Sequence, residues 1–271
     1  MTSPLARFRA TMRSAVRAIL PPRAVHAYRM VRHTMLFPFE RELAAIPMFL
    51  SSDKVAVDIG ANVGIMTDLM ARSSSRVIAF EPHPGCVAHL KALHLKGAEV
   101  VEVALSDHDG TSVLHVPVQQ RFENHAMGTL EPAEGLKAVP GVVATRDHAV
   151  AVTTLDRALA HRLGPNEVVG FIKIDVEGHE LLTLRGAAQT LDRHRPVLLV
   201  ELEFRHSDRV GETFALLERH GYRAQVLGDG NTLVPVTVDE LRALQSDARL
   251  AAKWRDSRYF GYVHNVFFVP R

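Results

Sequence analysis

Four short runs dominate this sequence: VAVDIG (Val55 to Gly60), RVIAF (Arg76 to Phe80) closed by Glu81-Pro82, FIKID (Phe171 to Asp175) and PVLLVELEF (Pro196 to Phe204). Each is largely apolar rather than alternating, so each strand has to be covered on both faces. That requirement fits a parallel sheet sandwiched between helices and excludes most antiparallel architectures. Helical patterns at Ile65 to Arg72 and at His83 to Lys96, stopping at Gly97, separate the first strands. EVVEVALSD, Glu99 to Asp107, reads as a further strand. The expectation is a doubly wound α/β fold with right-handed crossovers.

The C-terminal part departs from strict alternation. Tyr222 to Leu227 and Phe260 to Val269 read as strands around a helix from Asp239 to about Trp254, which Thr237 and Glu240 open with a capping box. Strands so placed close the sheet as an antiparallel edge pair. Residues 111–155 form an insertion in which TSVLHVPV and HAVAVTTL flank a loop too long for a routine connection. It is a candidate substrate lid, with a dimer-forming ribbon as the competing reading. The domain expected is 51–271, preceded by a helical arm over 1–50 that includes a short helix from Phe39 to Leu50.

Composition narrows the function. The longest stretch without Asp, Glu, Lys or Arg is twelve residues, Tyr259 to Pro270, too short to span a bilayer as a helix. A lone cysteine, Cys86, excludes an internal disulfide framework and is expected to be a packed thiol; the cytoplasm is the expected compartment. Net charge is only +2, which disfavours a nucleic-acid partner. Residues 1–39, however, hold seven of the 32 basic side chains and none of the 30 acids, leaving the remainder at −5. Arg7, Arg9, Arg13, Arg17, Arg23, Arg29 and Arg32 recur too often for the apolar core of a signal peptide. The arm is expected to pack on its own domain or on a second copy in a homodimer; contact with an anionic membrane surface is the alternative.

Ligands of open α/β sheets bind beyond the carboxyl ends of the strands, where strand order reverses. Asp58-Ile59-Gly60-Ala61-Asn62-Val63-Gly64 stands there, with two glycines that let the backbone approach a ligand. Glu81 follows 21 residues after Gly60, where an acid can accept bonds from both ribose hydroxyls, and Ser106 and Asp107 end the next strand, near an adenine edge. A dinucleotide turn would read GxGxxG. This one has Asn62 in the middle and Asp58 before it, a charge that would repel a pyrophosphate but suits the ammonium and sulfonium of S-adenosylmethionine.

As an ordered set, VAVDIGANVG, IAFEPHP, VALSDHDG, VTTLD, FIKIDVEGHE with LRGA behind it, and RPVLLVELE resemble the FkbM-type class I methyltransferases over roughly Glu40 to Glu203. The resemblance implies a seven-stranded Rossmann-like domain, S-adenosylmethionine as methyl donor, and an oxygen acceptor on a sugar, glycolipid, polysaccharide or polyketide. It places Asp58, Gly60, Asn62 and Gly64 around the methionine portion, Glu81 on the ribose, Ser106 or Asp107 near the adenine, and Glu40 toward the amino-acid end.

Methylating an alcohol requires a collinear acceptor, methyl and sulfur, and a group that removes the hydroxyl proton. Asp175, ending a buried strand beside the expected methyl, is the leading candidate. His179, Glu203 and the lid residue His125 are its rivals. A magnesium ion held by Asp175 with Glu201 or Glu203 is a further way to polarise the hydroxyl. The function expected is an O-methyltransferase of a sugar, oligosaccharide or glycosylated metabolite. Its competitors are an O-methyltransferase of a polyketide or other secondary metabolite, a non-catalytic adenosylmethionine-binding scaffold and a dinucleotide oxidoreductase.

Overall fold

The computed structural model describes residues 21–31, 42–119, 122–133, 136, 141–228, 232–255 and 261–271. In chain order the elements are α1 (Pro22–Val31), α2 (Glu42–Ala45), β1 (Val55–Ile59), α3 (Ile65–Ala71), β2 (Arg76–Phe80), α4 (Pro84–Leu93), β3 (Ala98–Val101), β4 (Ala104–Leu105), β5 (Gly110–Gln119), β6 (Phe122–Glu123) and β7 (Val142–Thr153). They continue as α5 (Leu155–Ala160), β8 (Val169–Ile174), α6 (Glu180–Arg185), α7 (Ala188–His194), β9 (Val197–Glu201), α8 (Val210–Arg219), β10 (Tyr222–Leu227), β11 (Leu233–Pro235), α9 (Val238–Leu244), α10 (Asp247–Arg255) and β12 (Asn265–Pro270).

The main sheet runs β11-β10-β12-β9-β8-β1-β2-β3. The five strands from β3 to β9 are parallel, as their two-sided apolar character demands, whereas β12, β10 and β11 close the sheet antiparallel. Strand order reverses between β1 and β8, so the ends of these two strands form the switch point. One core cluster, with Ile59, Phe80, Ile174 and Phe268, fills one face of the sheet; another, with Met70, Phe171 and Phe267, fills the opposite one. Among the described residues no helix is long and apolar enough to cross a membrane.

Several boundaries differ from the sequence reading. The sheet has eight strands rather than seven, because β11 adds a short antiparallel edge to β10. The run from Glu99 splits: β3 ends at Val101, while Ala104 and Leu105 turn away to pair with β7. With β5 and β6 they make a second, four-stranded sheet built almost wholly from the insertion. The helix expected from Asp239 to Trp254 is two helices. Gln245 interrupts it, its side-chain amide donating to the carbonyls of Leu202 (2.6 Å) and Val263 (2.9 Å) and its Oε1 accepting from Phe204 N–H (3.0 Å).

The described part of the arm packs on its own domain. Arg23 donates to the carbonyl that ends α4, at Leu93 (3.1 Å), His26 meets Asp68 of α3 (3.1 Å) and Arg29 meets His89 of α4 (3.3 Å). The other arginines of the arm lie outside the described residues.

Two glycines are required by approach and not only by turn. Gly60 has φ +76, and a Cβ there would lie 1.8 Å from the Asp175 carbonyl oxygen. Gly64 has φ +84, and its Cβ would meet the tip of Leu90 at 2.4 Å. A main-chain oxygen held in a sheet cannot retreat, whereas a leucine tip can rotate. Gly60→Ala should therefore cost about 3 kcal/mol or more and Gly64→Ala about 1 to 3 kcal/mol, read from urea unfolding midpoints. Equal costs would show that β1 and β8 are not locked at this point.

Candidate active site

The carboxyl ends of β1, β2 and β8 open into a cleft. Gly60, Asn62, Glu81 and Asp175 line it, and the insertion adds His125, Gly128 and Leu130. Asn62 takes up φ 50, which turns its main-chain N–H onto Glu81 Oε2 at 2.7 Å. Glu81 Oε1 accepts from His83 N–H at 2.8 Å. Burial pushes the Glu81 carboxyl up to about 7, against the pull of these two amides.

Beneath the turn lies a group that sequence reasoning missed. Lys173 of β8 is buried, and its ammonium donates to Asp175 Oδ2 (2.9 Å) and to the Gly60 carbonyl (3.3 Å), with Asp58 Oδ1 at 4.0 Å. Burial alone would lower the Lys173 pKa; Asp175 and Asp58 more than offset it and hold the ammonium charged. Asp58 is fully buried, with Oδ2 accepting from the Thr67 hydroxyl at 2.6 Å. Burial raises its pKa against the opposing effects of Lys173 and Thr67. The signal available in the sequence was a single lysine inside the apolar run FIKID, two residues before its acid.

Three histidines meet glutamates around the cleft. His83 caps α4: its Nδ1 accepts from the N–H of Gly85 (3.1 Å) and Cys86 (3.3 Å), leaving Nε2–H to donate to Glu123 Oε2 at 2.9 Å. His179 lies between Glu131 Oε1 on Nδ1 (2.6 Å) and Ser106 Oγ on Nε2 (2.9 Å). His206 Nδ1 pairs with Glu177 Oε2 at 2.8 Å. Burial raises the Glu177 carboxyl above its ordinary value, partly countered by His206. None of these pairings was legible beforehand.

Several expected site residues have other duties. Asp58 and Gly64 do not line the cleft: Asp58 faces Lys173 rather than a cofactor ammonium, and Gly64 exists for the contact between α3 and α4. Ser106 is fully buried against His179, and Asp107 is turned to His108 Nδ1 at 2.9 Å, so neither stands on the cleft wall. His179, a rival candidate for the base, is buried with both ring nitrogens engaged. Glu203 gives both carboxylate oxygens to Arg205 and accepts from the Tyr262 hydroxyl at 2.9 Å. Burial would raise Glu203, but Arg205 holds it below its ordinary value. Cys86 is a packed thiol, pushed up to about 12 chiefly by burial. Glu40 lies outside the described residues.

The arrangement of the donors lends the magnesium reading no support. Asp175 is tied to Lys173 and Glu203 to Arg205, and no gathered set of metal-type donors among the described residues contains Asp175, Glu201 or Glu203. The sets that do come together, His83 with Glu123 and His148 and His83 with Cys86 and His125, share a histidine whose Nδ1 lone pair caps α4. Its Nε2 carries a proton, so the cluster is held by hydrogen bonds.

This sheet order and this cleft define a Rossmann-like class I methyltransferase fold. The family model described as the methyltransferase FkbM domain matches residues 58–224, more than half of the chain, and the chain belongs to that family. Solved structures that resemble it include the methyltransferase FkbM from Methylobacillus flagellatus KT, at 17% identity over 81% of this chain and 44% of that one, with a TM-score of 0.45. An rRNA methylase from Streptococcus thermophilus matches at 14% identity over 74% and 97% of the two chains (TM-score 0.39). A TehB-like SAM-dependent methyltransferase from Corynebacterium glutamicum matches at 10% identity over 85% and 87% (TM-score 0.41). The chain thus spans less than half the length of the Methylobacillus protein. No curated protein matches it.

Buried carboxyls give this site a stability cost with a definite pH dependence. Glu180, at the start of α6, is buried and pushed up to about 7 by burial, although its Oε1 accepts from Gly178 N–H at 3.0 Å. A carboxyl whose folded pKa is raised binds more protons folded than unfolded, so the stability it contributes is full below the unfolded value and is lost as pH rises through about 7. Glu180→Gln keeps an acceptor for Gly178 without the charge. It should raise unfolding stability by about 1 to 3 kcal/mol near pH 8 and by almost nothing near pH 4. A gain of equal size at both pH values would rule out a charge effect.

Proposed function

We propose that this chain is an S-adenosylmethionine-dependent O-methyltransferase whose acceptor is a hydroxyl of a sugar, oligosaccharide or glycosylated metabolite. The observation that carries the reading is the juxtaposition of Glu81 and Asp175 across the Gly60 turn, at the switch point of a FkbM-family fold. The donor set fits the cofactor: Glu81 is a buried carboxylate oriented by two amides and still has lone pairs for two ribose hydroxyls, and the turn beside it has no Cβ at Gly60. Bound S-adenosylmethionine supplies an electrophilic methyl group on a sulfonium.

The protein's own residues do the rest. Glu81 holds the ribose, and Asp175 sets a negative charge at the end of β8, where its Oδ2 is fixed by Lys173 and its Oδ1 is left to receive the acceptor hydroxyl proton. The insertion covers the cleft with His125 and Leu130, a polar and an apolar group suited to the hydroxyls and the ring faces of a sugar. Acceptor choice is assigned to this insertion, because the sheet ends are occupied by cofactor-binding groups.

Calorimetry should show binding of S-adenosylhomocysteine and none of NAD, with Glu81→Ala weakening it by about 1.5 to 3 kcal/mol. Micromolar NAD binding without a response to S-adenosylhomocysteine would reject the reading. Labelled S-adenosylmethionine offered with a panel of free and nucleotide-linked sugars, oligosaccharides and polyketide aglycones then identifies the acceptor class. On that acceptor Asp175→Asn should lower kcat by about 10²- to 10⁴-fold while cofactor affinity stays within about threefold. Wild-type turnover in that variant would remove Asp175 from the chemistry.

A further inference from the structure

The segment Glu123 to Glu131 forms part of the cleft wall, and both of its ends are glutamates fastened to buried histidines of the core. At one end Glu123 Oε2 accepts from His83 Nε2–H at 2.9 Å, while Arg146 of β7 grips its other oxygen. At the other end Glu131 Oε1 accepts from His179 Nδ1–H at 2.6 Å, and the neighbouring Thr129 hydroxyl donates to the Glu177 carbonyl at 2.7 Å. Between these anchors His125, Ala126, Gly128 and Leu130 line the cleft together with Gly60, Glu81 and Asp175. The ring of His125 also lies on that of His83, with centroids 4.3 Å apart.

The two pairs share one design. In each, a buried histidine meets a glutamate of the segment through one ring nitrogen while a core group holds the other: the α4 amides take the His83 Nδ1 lone pair and so leave Nε2–H for Glu123, and the Ser106 hydroxyl holds His179 Nε2 while Nδ1 faces Glu131. Both histidines follow strands that wall the cleft, β2 and β8, and both are buried. Although burial would raise the Glu123 carboxyl, the His83 bond and the Arg146 charge hold it below its ordinary value, so it stays an acceptor. A third pair, Glu177 with His206, holds the loop after β8, and the segment reaches it through the Thr129 hydroxyl on the Glu177 carbonyl rather than through a glutamate. The His83 Nε2–H is thus committed in advance to an acceptor that the segment brings.

We propose that Glu123 to Glu131 is a gate over the cofactor cleft, closed by the His83–Glu123 and His179–Glu131 clasps, with Glu123 and Glu131 as positioning residues that set how often it opens. The ligand whose passage it governs is S-adenosylmethionine and its demethylated product, so the proposal rests on the cofactor reading above. Both ligands enter and leave only while at least one clasp is undone. Opening is then a common factor in the association and dissociation rates.

Stopped-flow kinetics of S-adenosylhomocysteine binding to the full chain tests this. Glu123→Ala and Glu131→Ala should each speed association and dissociation together by about tenfold, with Kd moving less than about threefold, since a gate changes the barrier and not the bound contacts. Glu123→Gln and Glu131→Gln keep an acceptor oxygen without its charge and should fall between wild type and alanine; they carry the test if an alanine variant fails to fold. Faster dissociation with unchanged association would make the glutamates mere supports of ligand contacts and would overturn the gate. Unchanged rates in all four variants would overturn it too. Absence of binding to the wild-type chain would instead reject the cofactor reading itself, and the gate with it.

Discussion

A buried ammonium persists only among acceptors and carboxylates, and Lys173 stands where three segments of this fold have to converge. It binds the carbonyl of Gly60 after β1 and the carboxylate of Asp175 after β8, and Asp58 of β1 is its near neighbour. Those contacts span the point where strand order reverses. The Gly60 turn can therefore press against the Asp175 carbonyl, and the cofactor turn is fixed from below before any ligand arrives. Glu81, reached through the amide of Asn62, inherits its orientation from the same turn.

The cost of this arrangement is a set of buried carboxyls. Asp58, Glu81, Glu177 and Glu180 all have pKa values raised chiefly by burial, and they lie at or just below one end of the sheet. A chain selected for stability alone would not gather them. Their proximity suits a ligand with cationic and hydroxyl groups, which can take up the anionic character that the protein leaves partly unmatched. The insertion then encloses this end of the sheet, so that acceptor and donor would meet away from bulk water.

How much of this was legible in the sequence follows from the range of each interaction. The parallel core was legible because strands covered on both faces leave an unbroken apolar mark, as at Val55 to Ile59 and Val197 to Glu201. The Gly60 turn and Glu81 were legible because a tight turn and a strand-end acid are local features. The edge strand β3 was overextended, since Ala104 and Leu105 are as apolar as a strand requires and only their main-chain partner in β7 shows that they belong to another sheet. The break at Gln245 depends on carbonyls of Leu202 and Val263 that no helical periodicity reports. Asp58 was given to the cofactor because its natural partner, Lys173, is more than a hundred residues away. The clasps join residues 40 and 48 positions apart and had no local signature at all.

Equilibrium urea unfolding of Lys173→Met, alone and combined with Asp58→Asn, tests most directly whether the Lys173 ammonium holds this end of the sheet together. Methionine fills the volume of the lysine but leaves the carboxylates without their cation. The predicted result is a loss of about 3 to 5 kcal/mol in the single variant, a substantial part of it recovered in the double variant, where one of the stranded acids has been removed. A Lys173→Met protein as stable as the wild type, or a double variant no better than the single one, would contradict the claim that this ammonium organises the cofactor end of the sheet.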